Sequence, residues 1–503
     1  MNTNESEISR RSFLKYSTAA ATAFTVIPAS AIGGDSAVPP SERMTFALIG
    51  CGTQGIRELP GMIGSKSIQF VAVCDPNKES YDYVDWSKDG LRHDVANMLK
   101  KSDWRANAPG IPGGREVVKE IIELYYGSQK DSGKYQGCKA YADFRELLDK
   151  DIDAVKIMTP DHLHATIAIA ALKKGKRVMM HKPLANRVYE GRLVVDTAKK
   201  TNLPTHFLPA NVGPGITQAL KAVRDGRIGR LKEIHNWSNR PVWPQYTKLP
   251  TDTPPVPAGF DWDLWLGPSL PRPYHPHYTH CVFRGWYEFG GGAIADMGHY
   301  SLWRVFQELN LDPPIMVESN PSHVCELDNL VSKKIHNDYS FPLACTVRFR
   351  FAGKGDRPEL DLFWYDGGIK PTTPEDLIKN NKELSAEGIM FVGTDGIIMG
   401  EFTGENLRII SQGKIQPLEK PSNASSLPAG FVGWEEAFRN KGKSYGDFTL
   451  ALSITDAFNL AAVSLRLGGK RLMWDAQDMK VTNPPDANKY LRREYRKGWE
   501  LTA

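Results

Sequence analysis

The chain has 503 residues, 41% hydrophobic and 24% charged, an ordinary globular composition that excludes disorder or a fibrous repeat as the main plan. At this length about two or three domains are expected, with ample chain for large cores. The 63 basic and 58 acidic residues leave a net charge of +5, too balanced for the one-sided basic surplus of a nucleic-acid binder, and no run of eighteen or more strongly apolar residues marks a permanent membrane span.

In chain order, Ser9-Arg10-Arg11-Ser12-Phe13-Leu14-Lys15 comes first. A mild apolar run from Tyr16 to Ile27 follows, then Ala29-Ser30-Ala31. Twin arginine, weakly hydrophobic centre and A-x-A-like site, in that order, resemble a bacterial twin-arginine (Tat) signal peptide over residues 1–31. The resemblance implies export to the periplasm by the Tat machinery, which carries proteins already folded and often with a cofactor inside. No Cys lies near the cleavage site, so a lipoprotein anchor is not expected. The six Cys do not make a disulfide scaffold, and none forms a Cys-x-x-Cys pair. They read as buried free thiols.

Met44 to Ile49 reads as a buried strand, followed at once by Gly50-Cys51-Gly52-Thr53-Gln54-Gly55, a complete G-x-G-x-x-G. A second apolar strand, Phe70 to Cys74, ends at Asp75. Gly50 permits the tight turn, Gly52 lets the backbone approach a pyrophosphate, and Gly55 lets the following helix pack on the strand. The helix N-terminus then faces the anion, and an acid at the second strand's tip accepts bonds from a ribose diol. The strand–loop–acid order predicts a dinucleotide site. Asp75 favours NAD, because a carboxylate repels a 2′-phosphate. Lys78 leaves NADP open. Residues 81–137 are longer than a basic doubly wound unit needs and read as an insertion with a helix from Arg115 to Tyr126, either covering the active site or forming a subunit contact.

After the strand Ala154 to Met158 comes Thr159-Pro160-Asp161-His162-Leu163-His164, then an alanine-rich helix, Gly175-Lys176-Arg177-Val178-Met179-Met180, and His181-Lys182-Pro183-Leu184-Ala185. Later segments are Trp262-Asp263-Leu264-Trp265-Leu266-Gly267-Pro268, Arg284 to Gly292, and Asp296-Met297-Gly298-His299. Together these resemble the Gfo/Idh/MocA family of oxidoreductases, with its T-P-x-x-x-H and E-K-P-L-A segments. The resemblance implies an α/β fold: an N-terminal Rossmann domain, placed at 44–183, and a C-terminal α/β domain with a large, mostly antiparallel sheet, placed at 184–503, for substrate binding and oligomerisation. The residues agree: the chain turns β-rich from about Glu233, with alternating stretches at 346–351, 359–364 and 388–399, and 448–467 reads as an apolar-striped helix.

The family oxidises a secondary alcohol of a sugar or polyol, passing hydride to a nicotinamide. The step needs a base for the hydroxyl proton and a positive group for the developing alkoxide. By resemblance Lys182 is the catalytic lysine, Asp296 binds substrate hydroxyls or orients the base, and Thr159, Pro160, His164, His181 and Asn211 join Gly50, Gly52, Thr53, Gln54, Gly55 and Asp75 around the cofactor. Arg284 and Trp286 are placed on the substrate with Lys182, Asp296 and His299. The sequence departs from the family twice. His181 stands for the usual Glu, a group neutral at pH 7 in many settings. The usual D-x-x-x-H is shortened, so that His299 follows Asp296 by three and Tyr300 by four, and both remain candidate bases. Trp237, Arg240, Trp243, Trp265 and Tyr287 complete an aromatic and basic set suited to carbohydrate. His275, His277 and His280 lie in a Pro- and Tyr-rich loop, and no metal is expected. The reading is an NAD(P)-dependent oxidoreductase of a sugar, glycoside or polyol, a homo-oligomer without nucleic-acid partners. The alternatives are a glycoside hydrolase or lyase working through transient oxidation, and a sugar-binding protein that keeps its cofactor without turnover. An intact Lys182 argues against the last.

Overall fold

The apolar runs around the glycine loop form the first sheet. In the computed structural model, which describes residues 42–419 and 427–501, six strands lie parallel: β1 Met44–Ile49, β2 Ile68–Cys74, β3 Lys139–Tyr141, β4 Ala154–Ile157, β5 Arg177–Met180 and β6 Thr205–Phe207, in the order β3-β2-β1-β4-β5-β6. Every residue of β4 is buried, as expected for parallel strands covered on both faces. The order reverses between β1 and β4, which opens a crevice at their carboxyl ends. The expected export signal, residues 1–31, lies outside the described residues.

Two sequence expectations change here. The Rossmann sheet does not end at 183, because β6 pairs with β5 through Val178–Thr205 and Met180–Phe207. Three residues are too few to show a periodicity. The helix Arg115–Gly127 also belongs to the ordinary doubly wound pattern, since its buried stripe Val117, Val118, Ile121 and Ile122 packs on β2 and β3. The excursion is therefore shorter, residues 75–114, and is closed at its base by reciprocal backbone bonds between Ser80 and Gly113 of 3.0 and 3.1 Å.

The second sheet has ten strands. Its centre joins β7 (Leu231–Trp237), β8 (Met316–Pro321), and, beyond the hairpin β9 (Cys325–Asp328) and β10 (Val331–Lys334), β11 (Cys345–Phe351), β12 (Leu360–Tyr365) and β13 (Gly388–Gly393). Only the β7–β12 pair is parallel. β11 shows the period of two plainly: Cys345, Val347, Phe349 and Phe351 are buried, and the residues between them half-buried. The inner face meets the helices His299–Glu308 and Leu452–Arg466, and the latter also packs on the Rossmann helix Val188–Thr201. One apolar core thus runs through both sheets. Among the described residues no helix is long and apolar enough to cross a membrane.

Candidate active site

The crevice begins at the glycine loop. Gly50 has φ +99°, and a Cβ there would stand 2.5 Å from the backbone carbon of Met158; one on Gly55 would stand 2.3 Å from the Gly50 oxygen. Both positions need glycine for closeness, the first also for its backbone conformation. Asp75 sits at the tip of β2, with one carboxylate oxygen accepting from the Cys51 N–H at 2.7 Å and the other from the Asn77 N–H at 2.8 Å. Burial pushes its pKa up while those two N–H groups and Arg115 oppose the shift. It therefore braces the loop as well as lining the cleft. The opposite wall is Thr159 and Pro160, and the Thr159 hydroxyl is buried without a hydrogen-bond partner. A glycine cradle, a carboxylate at the strand tip and an orphaned hydroxyl on the facing wall fit a nicotinamide dinucleotide.

The excursion lies over this cradle. The space a Cβ on Gly52 would enter is met by the Tyr83 ring at 3.1 Å. Tyr83 is held by Asn77, whose side-chain amide donates to its hydroxyl at 3.2 Å, and by His280, whose ring lies 4.2 Å away. Asp85 accepts from Arg57, on the helix behind the glycine loop, at 2.5 Å, and Asp82 faces His280 at 3.4 Å. The remaining cavity is about 120 Å³, well under the roughly 300–1,000 Å³ of ligand pockets. Tyr83, Val84, Asp85 and Trp86 line this cavity and narrow it over the glycine loop. Tyr83, Asp85, Arg57 and His280 were not legible as site residues, because their contacts are long-range.

β5 leads into a polar cluster. After Met180 the backbone stays beside β4, the His181 N–H donating to the Ile157 oxygen at 3.1 Å, and Lys182 turns into the crevice with 4% of its side chain exposed. Its Nζ donates to Asp296 Oδ1, which also receives Arg284 Nε at 2.8 Å. Arg240 Nε lies 3.7 Å from Oδ2. Burial alone would raise Asp296, but Lys182 and Arg284 hold its carboxyl down at about 2. Burial, helped by Arg284, draws Lys182 below its ordinary value while Asp296 sustains its charge. A second carboxylate joins them. Asp161, in the Thr-Pro-Asp segment, accepts from the Gly291 N–H at 3.0 Å, and burial raises it to about 6 against the pull of Arg284 and Lys182. Its segment was recognised from sequence, but nothing there gave it a role.

The two candidate bases part company. Ile294–Gly298 is a π-helical turn leading into the helix His299–Glu308. In a regular helix offsets of three and four share a face. A π turn, bonded i→i+5, takes more residues per revolution, so the fourth residue returns over Asp296 and the third does not. Tyr300 reaches His181, hydroxyl to Nε2 at 2.8 Å, with the Lys182 ammonium 5.6 Å from its ring. His299 instead packs on Phe207 and Phe458, ring centroids 5.3 and 4.6 Å away, and its Nδ1 donates to the Ala295 oxygen. Burial lowers it to about 3.

Other expected residues are placed as follows. Gly50, Gly52, Thr53, Gln54, Asp75, Thr159, Pro160, His181, Lys182 and Arg284 line one cleft. His164 stands behind it, with Nδ1 2.5 Å from the Pro183 oxygen and Nε2 2.9 Å from the Thr159 oxygen. Burial lowers it to about 4, so the ring is neutral at pH 7 and donates to one of these two oxygens, and it does not line the cleft. Asn211 is exposed and lines a separate cavity of about 300 Å³ with His206 and Trp434, because the 3₁₀ turn Leu208–Asn211 carries it past the crevice. Trp286 is 1% exposed, donates to the His277 oxygen and stacks on Tyr246. It belongs to an aromatic core with Trp265, Tyr278 and Phe289, not to a substrate surface.

Residues 104–207 match the family model described as "Oxidoreductase family, NAD-binding Rossmann fold", and 228–341 match the model of that family's C-terminal alpha/beta domain. Among curated proteins the chain is similar to a levoglucosan dehydrogenase of Pseudarthrobacter phenanthrenivorans, 37% identical over 145 residues, 27% of this chain and 36% of that one. It is also similar to an alpha-N-acetylgalactosaminidase of Shewanella oneidensis, 26% identical over 195 residues, 38% of this chain and 34% of the relative. The matched segment thus spans about a third of these relatives. Among solved structures the WlbA dehydrogenase of Bordetella pertussis, in complex with NADH and UDP-GlcNAcA, shares the fold, with a TM-score of 0.51 at 15% identity over 86% of this chain and 99% of that one. Segments of both domains thus match models of one oxidoreductase family, Gfo/Idh/MocA, and the fold is shared with the WlbA dehydrogenase.

Proposed function

We propose that the protein is an NAD(P)-dependent oxidoreductase that moves hydride between a carbinol of a sugar, glycoside or polyol and a nicotinamide, with NAD the preferred cofactor. The observation that carries the reading is the buried Lys182–Asp296 pair at the mouth of a glycine-floored crevice, with the Tyr300–His181 pair beside it. The bound nicotinamide supplies the hydride acceptor. Lys182, anchored by Asp296, holds the alkoxide as it forms. Burial and the Lys182 charge push His181 far below its ordinary pKa, so its imidazole is neutral at pH 7. The carbinol hydroxyl donates to the Tyr300 oxygen while Tyr300 donates to His181 Nε2, so the proton leaves along this hydrogen-bonded pair as the hydride departs and comes to rest on neither residue. The similarity to a levoglucosan dehydrogenase supports a carbohydrate substrate.

We also propose that the Arg10-Arg11 leader directs export to the periplasm, where a dinucleotide held under residues 81–86 travels with the folded enzyme, and that the exported form is a homo-oligomer. The similarity to an alpha-N-acetylgalactosaminidase favours a second reading, in which the hydride returns to the same sugar after elimination. One experiment covers both. Purified protein is offered a panel of sugars and glycosides while cofactor absorbance and product mass are followed together. Net reduction marks the oxidoreductase, and cleavage without net reduction marks the second reading. Lys182→Ala is expected to cut turnover by about 10²-fold or more with the dinucleotide still bound; near-normal turnover removes Lys182 from the chemistry.

A further inference from the structure

The charges around Asp296 do not balance. Three cations, Lys182, Arg284 and Arg240, meet two carboxylates, Asp296 and Asp161. The neighbouring Arg57–Asp85 and Lys156–Glu58 pairs cancel internally. Burial keeps His181, His164 and His299 neutral at pH 7. Such a cluster holds one surplus positive charge, and charges largely withdrawn from water are ordinarily paired; the Arg240 side chain keeps one-fifth of its surface exposed. The surplus has a location. Lys182 and Arg284 both bond Asp296 Oδ1, whereas Arg240 approaches Oδ2 at 3.7 Å, too far for a hydrogen bond. Its Nε is buried with no hydrogen-bond partner. One Nη donates to the Asn239 side chain at 2.8 Å, and the guanidinium stands 5.5 Å from the Trp86 ring. Arg240 is thus fixed between Asp296 and the covering segment, on the side of the carboxylate away from Lys182, with a donor still to be used.

We propose that the substrate is an anionic carbohydrate whose single negative charge, a carboxylate or a sulfate ester, is bound by Arg240 while Lys182 holds the reacting carbinol. The proposal rests on the dehydrogenase reading for the role of Lys182, but the Arg240 anion site stands without it. A guanidinium fork is the side chain best suited to such a group, and the separate approach of Arg240 keeps the anion off the alkoxide site.

Calorimetric binding to the cofactor-loaded protein tests the idea with matched sugars: glucose, glucuronate, the uncharged methyl ester of glucuronate and glucose 6-sulfate, with the galactose series in parallel. The charged members are expected to bind at least about tenfold tighter than the parent sugar and the methyl ester, and whichever of carboxylate and sulfate binds tighter names the source of the charge. Arg240→Gln is expected to abolish that preference and Arg240→Lys to keep part of it, with the change in KM rather than kcat. Equal binding of charged and neutral sugars, no binding of any charged sugar, or an undiminished preference in Arg240→Gln overturns the proposal. The ester comparison uses unaltered protein and so holds even if a variant misfolds. Preferential binding of the charged sugars without cofactor reduction would sink the dehydrogenase reading alone, and reduction by neutral sugars without preference would sink this one alone.

Discussion

Two adjacent side chains on one helix meet opposite environments. Tyr300 keeps its hydroxyl on His181 at the cleft, and His299 carries its imidazole into the apolar core between Phe207 and Phe458. Tyr300→Phe leaves the ring in place and removes only the proton path, so turnover is expected to fall by about 10²-fold with binding nearly unchanged. His299→Leu is expected to leave turnover within about threefold. It also removes a buried ring nitrogen that has no hydrogen-bond partner, a group that costs about 1–3 kcal/mol when left unsatisfied, so the melting temperature is expected to hold or rise. Steady-state kinetics and thermal melts of the two variants check both statements, and the reverse ranking would return the base role to His299. The sequence left this pair open for a physical reason. Spacing along a helix names a face only when the turn is regular, and the π turn before His299 is set by packing that no local pattern records.

At the scale of elements, the segment 81–86 closes on the glycine loop through two polar clasps, Arg57 with Asp85 and His280 with Asp82, and through the Tyr83 ring over Gly52. Arg57, Tyr83, Asp85 and His280 line the same cleft as the glycine loop. Asp85→Ala opens the first clasp, and the cofactor's dissociation rate is expected to rise about tenfold with little change in association, since such changes fall mainly on the off-rate. Stopped-flow displacement of bound NADH by excess NAD measures it. A rate unchanged in Asp85→Ala would mean that the segment does not gate exit. The glycine loop and its strand were legible because turn, close approach and helix start demand fixed residue types within six positions. The covering segment was legible only as surplus length, since its partners Arg57 and His280 lie tens to hundreds of residues away. Asn211 was misplaced for a related reason, because a 3₁₀ turn diverts the chain after β6.

At the scale of the whole molecule, the two sheets share one continuous core, so unfolding is expected as one cooperative event whose pH dependence sums over both domains. Four histidines in or beside that core are depressed by burial: His162, His206 and His299 to about 3 and His164 to about 4. Each is neutral when folded and takes a proton near pH 6.5 when unfolded. Between those values the unfolded chain binds more protons, so stability is fully present above about pH 6.5 and falls as pH drops. At pH 5 each histidine withdraws about 2 kcal/mol at face value. Two buried carboxylates oppose this. Asp161 and Asp366, both raised to about 6 by burial, take protons more readily in the folded chain and return about 1 kcal/mol each over the same range. The histidines win by several kcal/mol, a large share of the 5–15 kcal/mol that holds an ordinary domain together. Thermal melts from pH 7.5 to 4.5 are therefore expected to show one transition whose midpoint falls steadily below pH 6.5. His206→Asn, which keeps a polar partner for Ser444 beside it without the titrating ring, is expected to flatten that slope by about one proton. A midpoint that stays level to pH 5, or two separated transitions, would show that the buried histidines do not set the acid limit of the shared core.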